Sequence, residues 1–173
     1  GEVIGIKGLS GAGKSTLAAI LSGSIKPDEG FLLINEKISN KVPERLFILD
    51  SYAPQLWTSP GESMTIQEHR EIDLKKLKNS LEQAGVADLF ANEDQLFQAW
   101  DAGIKLSEGQ KQRMRLATLF YHDADWVILD ETTSHLDVQT EHEVMSRLCE
   151  ICHNERKYGI IIISHRDTAL NHA

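Results

Sequence analysis

Gly8-Leu9-Ser10-Gly11-Ala12-Gly13-Lys14-Ser15-Thr16 is the stretch from which the rest of the chain is read. It has the form G-x-x-x-x-G-K-[ST], with Gly8, Gly13, Lys14 and Ser15 on the defining positions. The run before it, Glu2-Val3-Ile4-Gly5-Ile6-Lys7, has the length of a buried strand. The run after it, Leu17-Ala18-Ala19-Ile20-Leu21, consists of helix formers without a breaker. The loop is therefore predicted between a strand and a helix, the context in which this pattern cradles phosphate. Its glycines let successive backbone N–H groups point at an anion, and the helix N-terminus adds partial positive charge. Lys14 would reach the terminal phosphates, and the Ser15 hydroxyl would ligate Mg²⁺. The expected nucleotide-binding residues are Gly8, Ser10, Gly11, Ala12, Gly13, Lys14, Ser15 and Thr16.

Composition narrows the class. With 173 residues, 41% hydrophobic and 25% charged, the chain has the make-up of one ordinary globular domain with a real core. A net charge of -8 does not favour a duplex-binding surface, and no nucleic-acid partner is expected. No apolar run approaches the ~20 residues a membrane helix needs, and no signal-peptide pattern opens the chain. The chain starts at Gly1 directly on a strand and reads as an excised, soluble piece of something longer. Cys149-Glu150-Ile151-Cys152-His153 has the form of a haem-attachment motif. It lies, however, inside a helical stretch from Gln139 to Lys157, where Val144, Leu148, Ile151 and Cys152 share one face. Two reduced, packed thiols are the better expectation.

Taken in order, a turn at Pro27-Asp28-Glu29-Gly30 leads to a strand at Phe31-Leu32-Leu33-Ile34, and Leu46-Phe47-Ile48-Leu49 is the next buried run. From Thr65 to about Gly103 the character turns helical and polar. Thr65-Ile66-Gln67-Glu68 has capping-box form, and Asp73 to Gly85 is an amphipathic helix carrying Leu74, Leu77 and Leu81. Trp126-Val127-Ile128-Leu129 and Ile160-Ile161-Ile162-Ile163 are further apolar strands. Continuous apolar strands alternating with helices predict an α/β fold with a mostly parallel sheet covered by helices. The predicted division is a core of residues 1–58 and 104–173, interrupted by a helical subdomain over 59–103.

Ligands of such sheets bind at the carboxyl ends of the strands. The phosphate loop, Asp130-Glu131 and His165 all fall at such ends. Asp130 would hold Mg²⁺ opposite Ser15. Glu131 would polarise an attacking water, His165 would sense a γ-phosphate, and Gln55 would reach the metal and the water. Leu106-Ser107-Glu108-Gly109-Gln110 contains a capping box, Ser107 with Gln110, that starts a helix. The same helix start, with Gly109 exposed, is an anion site. A second anion site in one chain makes sense if it takes another molecule's γ-phosphate.

These elements, in this order and spacing, resemble the nucleotide-binding domain of ABC ATPases, and the resemblance covers essentially the whole chain. It implies a P-loop NTPase fold with Walker A at Gly8–Thr16, a Q-loop glutamine at Gln55, the signature at Leu106–Gln110, Walker B at Trp126–Glu131, the D-loop from Ser134 to Asp137 and the H-loop histidine at His165. It further implies ATP and Mg²⁺ as cofactors, with Glu131, His165, Gln55 and Lys14 catalytic and Ser15, Gln55 and Asp130 around the metal. Two subunits would sandwich ATP head to tail, each signature acting on the partner's nucleotide. The helical subdomain would grip transmembrane domains at the cytoplasmic face of a membrane, with Met64-Thr65-Ile66-Gln67-Glu68-His69 leaning towards exporter-type domains. The implied function is ATP hydrolysis that powers transport. A soluble ABC ATPase of DNA repair or ribosome work, and a non-hydrolysing nucleotide switch, are the alternatives. Departures from the family pattern are Glu108 in place of Gly in the signature, His135 in place of Ala in the D-loop, and Thr118 where Arg is common. The antiparallel segment whose aromatic residue stacks on adenine in the family is expected to lie outside the sequence.

Overall fold

The computed structural model describes residues 1–34, 37–39, 45–50, 59–65, 72–98, 106–134, 136–155 and 158–171. The elements are β1 (Val3–Ile6), α1 (Lys14–Leu21), β2 (Leu32–Ile34), β3 (Lys37–Ser39), β4 (Leu46–Asp50), α2 (Pro60–Thr65), α3 (Leu74–Gln83), α4 (Glu108–Tyr121), β5 (Trp126–Asp130), α5 (Val138–Glu155), β6 (Gly159–Ile163) and α6 (Asp167–Leu170). Two 3-10 turns, Ala87–Leu89 and Glu93–Phe97, lie between α3 and α4.

The main sheet has the order β1-β6-β5-β4 and every pairing in it is parallel. Its apolar runs fit this arrangement: the inner strands β5 and β6 are buried along most of their length, while the edge strands β1 and β4 leave Ile4 and Ile48 exposed. Alternate residues feed two cores. Val127, Leu129, Ile160 and Ile162 join the larger one with side chains of α4 and α5. Ile128 and Ile163 point the other way and pack with Ala18 of α1. The register sets Asp50 beside Asp130, Asp130 beside Ile163, and Ile163 beside Ile6, so the four carboxyl ends finish level. The expected α/β, mostly parallel P-loop architecture is the one observed.

Between β4 and α4 the described chain is helical. Asp73 caps α3 by accepting from the Lys76 N–H at 3.0 Å. Leu77 and Leu81 are buried as expected, while Leu74, the first residue of the helix, stays largely exposed. Both α2 and α3 pack on α4. Met64, Leu77, Leu81 and Leu96 share one apolar cluster with Phe47 and Leu129 of the sheet. His122, at the end of α4, joins the two parts. Its Nε2 lies 2.7 Å from the Met64 carbonyl and its ring stacks on Phe47.

Two local readings are corrected. Thr65 does not open a helix: it already lies within α2, and its hydroxyl donates back to the Gly61 carbonyl at 3.1 Å. Pro60 is what starts that helix, at a position where a missing N–H costs nothing. The strand at Leu32–Ile34 does not join the main sheet but pairs antiparallel with β3, a strand too short and polar to be read from its pattern. The expected cysteine-bearing helix is α5. Val144, Leu148, Ile151 and Cys152 are all buried, and the Cys152 thiol donates to the Tyr158 carbonyl at 2.9 Å. Burial and the neighbouring Cys152 push the Cys149 thiol up to about 11.

Candidate active site

The loop after β1 turns on Gly11 and Gly13, whose φ angles of 80° and 89° lie in the left-handed region that side chains disfavour. The Ala12 N–H donates to the Leu9 carbonyl at 3.2 Å and tightens the curl. No side chain caps the first turn of α1, which leaves its N–H groups to an incoming anion. Lys14 folds back over the loop, its ammonium donating to the Gly8 carbonyl at 2.9 Å and the Leu9 carbonyl at 3.0 Å.

Two clefts meet at this edge. One, of about 660 Å³, is lined by Lys7, Gly8, Leu9, Ser10, Lys14, Glu131 and His165. The other, of about 460 Å³, is lined by Ser15, Ala18, Ala19, Ser22, Ser24, Ile48, Asp50, Asp130 and Glu131. Glu131 is the wall between them. The first has the phosphate-binding chemistry, and the second has the hydroxyl and carboxylates suited to a hard cation. Asp130 Oδ1 is buried there without a hydrogen-bond partner. An anionic oxygen in that state is costly unless a cation or donor completes it, so the residues present fit Mg²⁺.

Glu131 is the one described non-glycine residue with positive φ, at 53°. Its N–H is fixed to the Ile163 carbonyl at 2.9 Å, and its carbonyl accepts from the Ser134 N–H at 3.2 Å. The carboxylate beyond this left-handed turn reaches the residues that follow β6. There Glu131 Oε1 lies 3.3 Å from His165 Nδ1. Such strain is sustained only where surrounding contacts over-determine the backbone.

The remaining expected residues are placed as follows. Gln55 lies outside the described residues, as does His135. Ser107 caps α4 reciprocally: its hydroxyl accepts from the Gln110 N–H at 3.2 Å, and its own N–H donates to Gln110 Oε1 at 2.8 Å. Glu108 is paired one turn on with Lys111 at 2.7 Å, which offsets its charge. The signature residues Leu106 to Gln110 line neither cleft. Asp137 accepts from the Thr140 N–H at 3.0 Å and the Thr140 hydroxyl at 2.6 Å, so it opens α5, and these bonds hold its carboxyl below the ordinary value.

Sequence reasoning missed a clasp behind the site. The fully buried carboxylate of Glu141, on α5, accepts from the Thr133 hydroxyl at 2.6 Å and from the Thr168 hydroxyl. Arg166 Nη2 approaches the same carboxylate at 3.4 Å, and Nη1 donates to the Thr133 and Leu136 carbonyls, each at 3.1 Å. The segment after Glu131 is thus tied to the segment after His165. The available signal was an arginine directly following His165, a type suited to several fixed acceptors at once.

A family model described as ABC transporter matches residues 1–134. An ABC transporter ATP-binding/permease protein of Haemophilus influenzae is 30% identical over 98% of this chain, which covers 31% of that protein. The ABC transporter ATP-binding protein YtrE of Bacillus subtilis is 31% identical over 96% of this chain, which covers 74% of it. A solved bacterial Atm1-family ABC exporter with ATP bound superposes with a TM-score of 0.84 at 25% identity, over 98% of this chain and 30% of the exporter chain. The chain therefore spans about a third of the length of the first-named relative and of the exporter.

Proposed function

The chain belongs to the ABC transporter family, and on that premise we propose that it is the ATP-binding and ATP-hydrolysing domain of a transporter. The observation that carries this reading is the orphaned Oδ1 of Asp130 in the cleft that Ser15 also lines, beside an uncapped helix start. Ser15 and Asp130 would hold Mg²⁺, with Gln55 as a further ligand, and Mg²⁺ neutralises charge on the phosphates when bound. The loop N–H groups and Lys14 bind the phosphate chain, with Lys14 exchanging the Gly8 and Leu9 carbonyls for phosphate oxygens. Glu131, which lines both clefts, holds a water and takes its proton. His165 orients that carboxylate. The coupling is geometric, since both side chains end on strands whose register is fixed by the sheet.

The wider assembly is part of the same proposal. Residues 59–103 form the helical subdomain and 1–58 with 104–173 the core. The signature, which lines neither of this chain's clefts, acts on a second nucleotide-binding domain in a head-to-tail dimer. The partners are transmembrane domains, as the ATP-binding/permease character of the Haemophilus relative suggests, and the domain would work from the cytoplasmic face of the membrane. Among the described residues no helix is long and apolar enough to cross a membrane.

The test is steady-state ATPase activity and nucleotide affinity of two variants. Glu131→Gln should keep MgATP binding and lose about 10²–10⁴-fold in turnover, the usual yield of a positioned base. Lys14→Ala should lose binding and turnover together. Wild-type turnover in both would sink the assignment.

A further inference from the structure

Lys7 stands between β1 and the phosphate loop, and its ammonium pairs with the carboxylate of Asp167, the first residue of α6. Both side chains are mostly in solvent, 61% and 71% exposed. Pairs this exposed contribute little to stability, too little to act as a strap across the site. Lys7 nevertheless lines the same cleft as Lys14, Glu131 and His165, whereas Asp167 does not. The other lysine of that lining, Lys14, is anchored on two loop carbonyls. A lysine is a compact charge on a flexible four-carbon stem with three rotatable donors, so little holds Lys7 where it is.

We propose that Lys7 is a second phosphate-directed cation of this site, parked on Asp167 until a polyphosphate enters the cleft. The proposal rests on the nucleotide-binding reading above. A phosphate chain bearing several negative charges competes directly with one exposed carboxylate, and Lys7 starts at the rim of the cleft that receives it. Asp167 is then a competitor of the ligand. Its removal should help binding, where loss of a structural strap would harm it.

That opposition of sign is the experiment. Equilibrium binding of ATP and of inorganic triphosphate to the full-length protein is measured in EDTA, so that no turnover intervenes. Lys7→Thr should weaken both ligands about five- to tenfold, the scale of one partly screened charged contact. Asp167→Asn should tighten both about two- to fivefold, the equivalent of releasing an exposed pair. Lys7→Thr should also flatten the dependence of affinity on salt. Weaker binding in both variants would establish a strap and overturn the proposal, and unchanged affinity in both would overturn it equally. Lys14→Ala run alongside separates the two levels of inference. If it too binds like the parent, the nucleotide site itself has been misassigned; if it alone loses binding, only the role of Lys7 falls. Thermal melts within about 2 °C of the parent show that the exposed pair was removed without unfolding the domain.

Discussion

Arg166→Ala is the perturbation with the sharpest expected consequence for the fold. The Glu141 carboxylate has no exposed surface, and the Arg166 side chain is 23% exposed. Removing one member of a buried pair ordinarily costs ~3–5 kcal/mol, because the other charge is left uncompensated. Here the Thr133 and Thr168 hydroxyls still serve the carboxylate, which lowers the expected cost to about 2–3 kcal/mol. The same change strips the donors from the Thr133 and Leu136 carbonyls, so the figure does not fall further. For a chain of this size each kcal/mol moves Tm by ~2–4 °C, giving a drop of roughly 5–10 °C. Urea denaturation with calorimetry measures it. Glu141→Gln alone should cost less, since the partly exposed guanidinium can turn towards water. The double variant should be at least about 1 kcal/mol more stable than the sum of the singles predicts. An Arg166→Ala variant within about 1 kcal/mol of the parent, or strict additivity, would refute the idea of a buried charge held by this arginine.

Further outcomes concern the buried cysteine and the assembly. The Cys149 thiol is raised from 9.0 to about 11, chiefly by burial, so native protein should resist alkylation at neutral pH while denatured protein reacts at both cysteines. Because the folded value lies above the unfolded one, the associated stability is present below pH 9 and is lost as pH rises towards 11; stability that is flat over that window would contradict the burial argument. In the assembly, Glu131→Gln should dimerise on addition of MgATP, seen by light scattering at high protein concentration. Adding Ser107→Arg should return it to monomer with single-chain nucleotide binding kept; a dimer that persists would show that Ser107 serves only as the cap of α4.

What could be read in advance was the chemistry that is local in the chain. Gly11 and Gly13 announce a left-handed curl, Ser107 and Gln110 a helix start three residues apart, and Trp126–Asp130 a buried strand with a carboxylate at its end. Each is decided within a few residues by backbone sterics or by burial. Thr65 shows where that approach fails: it had capping form, but the helix that contains it has already started at Pro60. The Glu141 clasp joins side chains from three segments, and Lys7 meets Asp167 across 160 positions. No periodicity or short motif encodes such pairs, since they exist only once the sheet has set its register. Glu131 was legible as a residue type beside Asp130, but its left-handed backbone, and its place in the wall shared by the two clefts, were not.

The pairing of β1 with β6 has a consequence for how the domain comes into being. Val3 lies beside Ile160 and Ile6 beside Ile163, and among the described residues β1 has no other sheet partner. At ~5–20 residues per second of synthesis, β1 therefore leaves the ribosome on the order of ten seconds before the strand it must pair with. The phosphate loop is made before β6, and the sheet that carries it is completed only when a long loop closes, a step that slows folding. Through that interval an apolar strand is without its neighbour and is a substrate for chaperones or for misassembly. A circular permutant that links the end of α6 to β1, through a linker long enough to return to the start of the parallel pair, should shorten the wait and refold faster than the parent, with the same finished site.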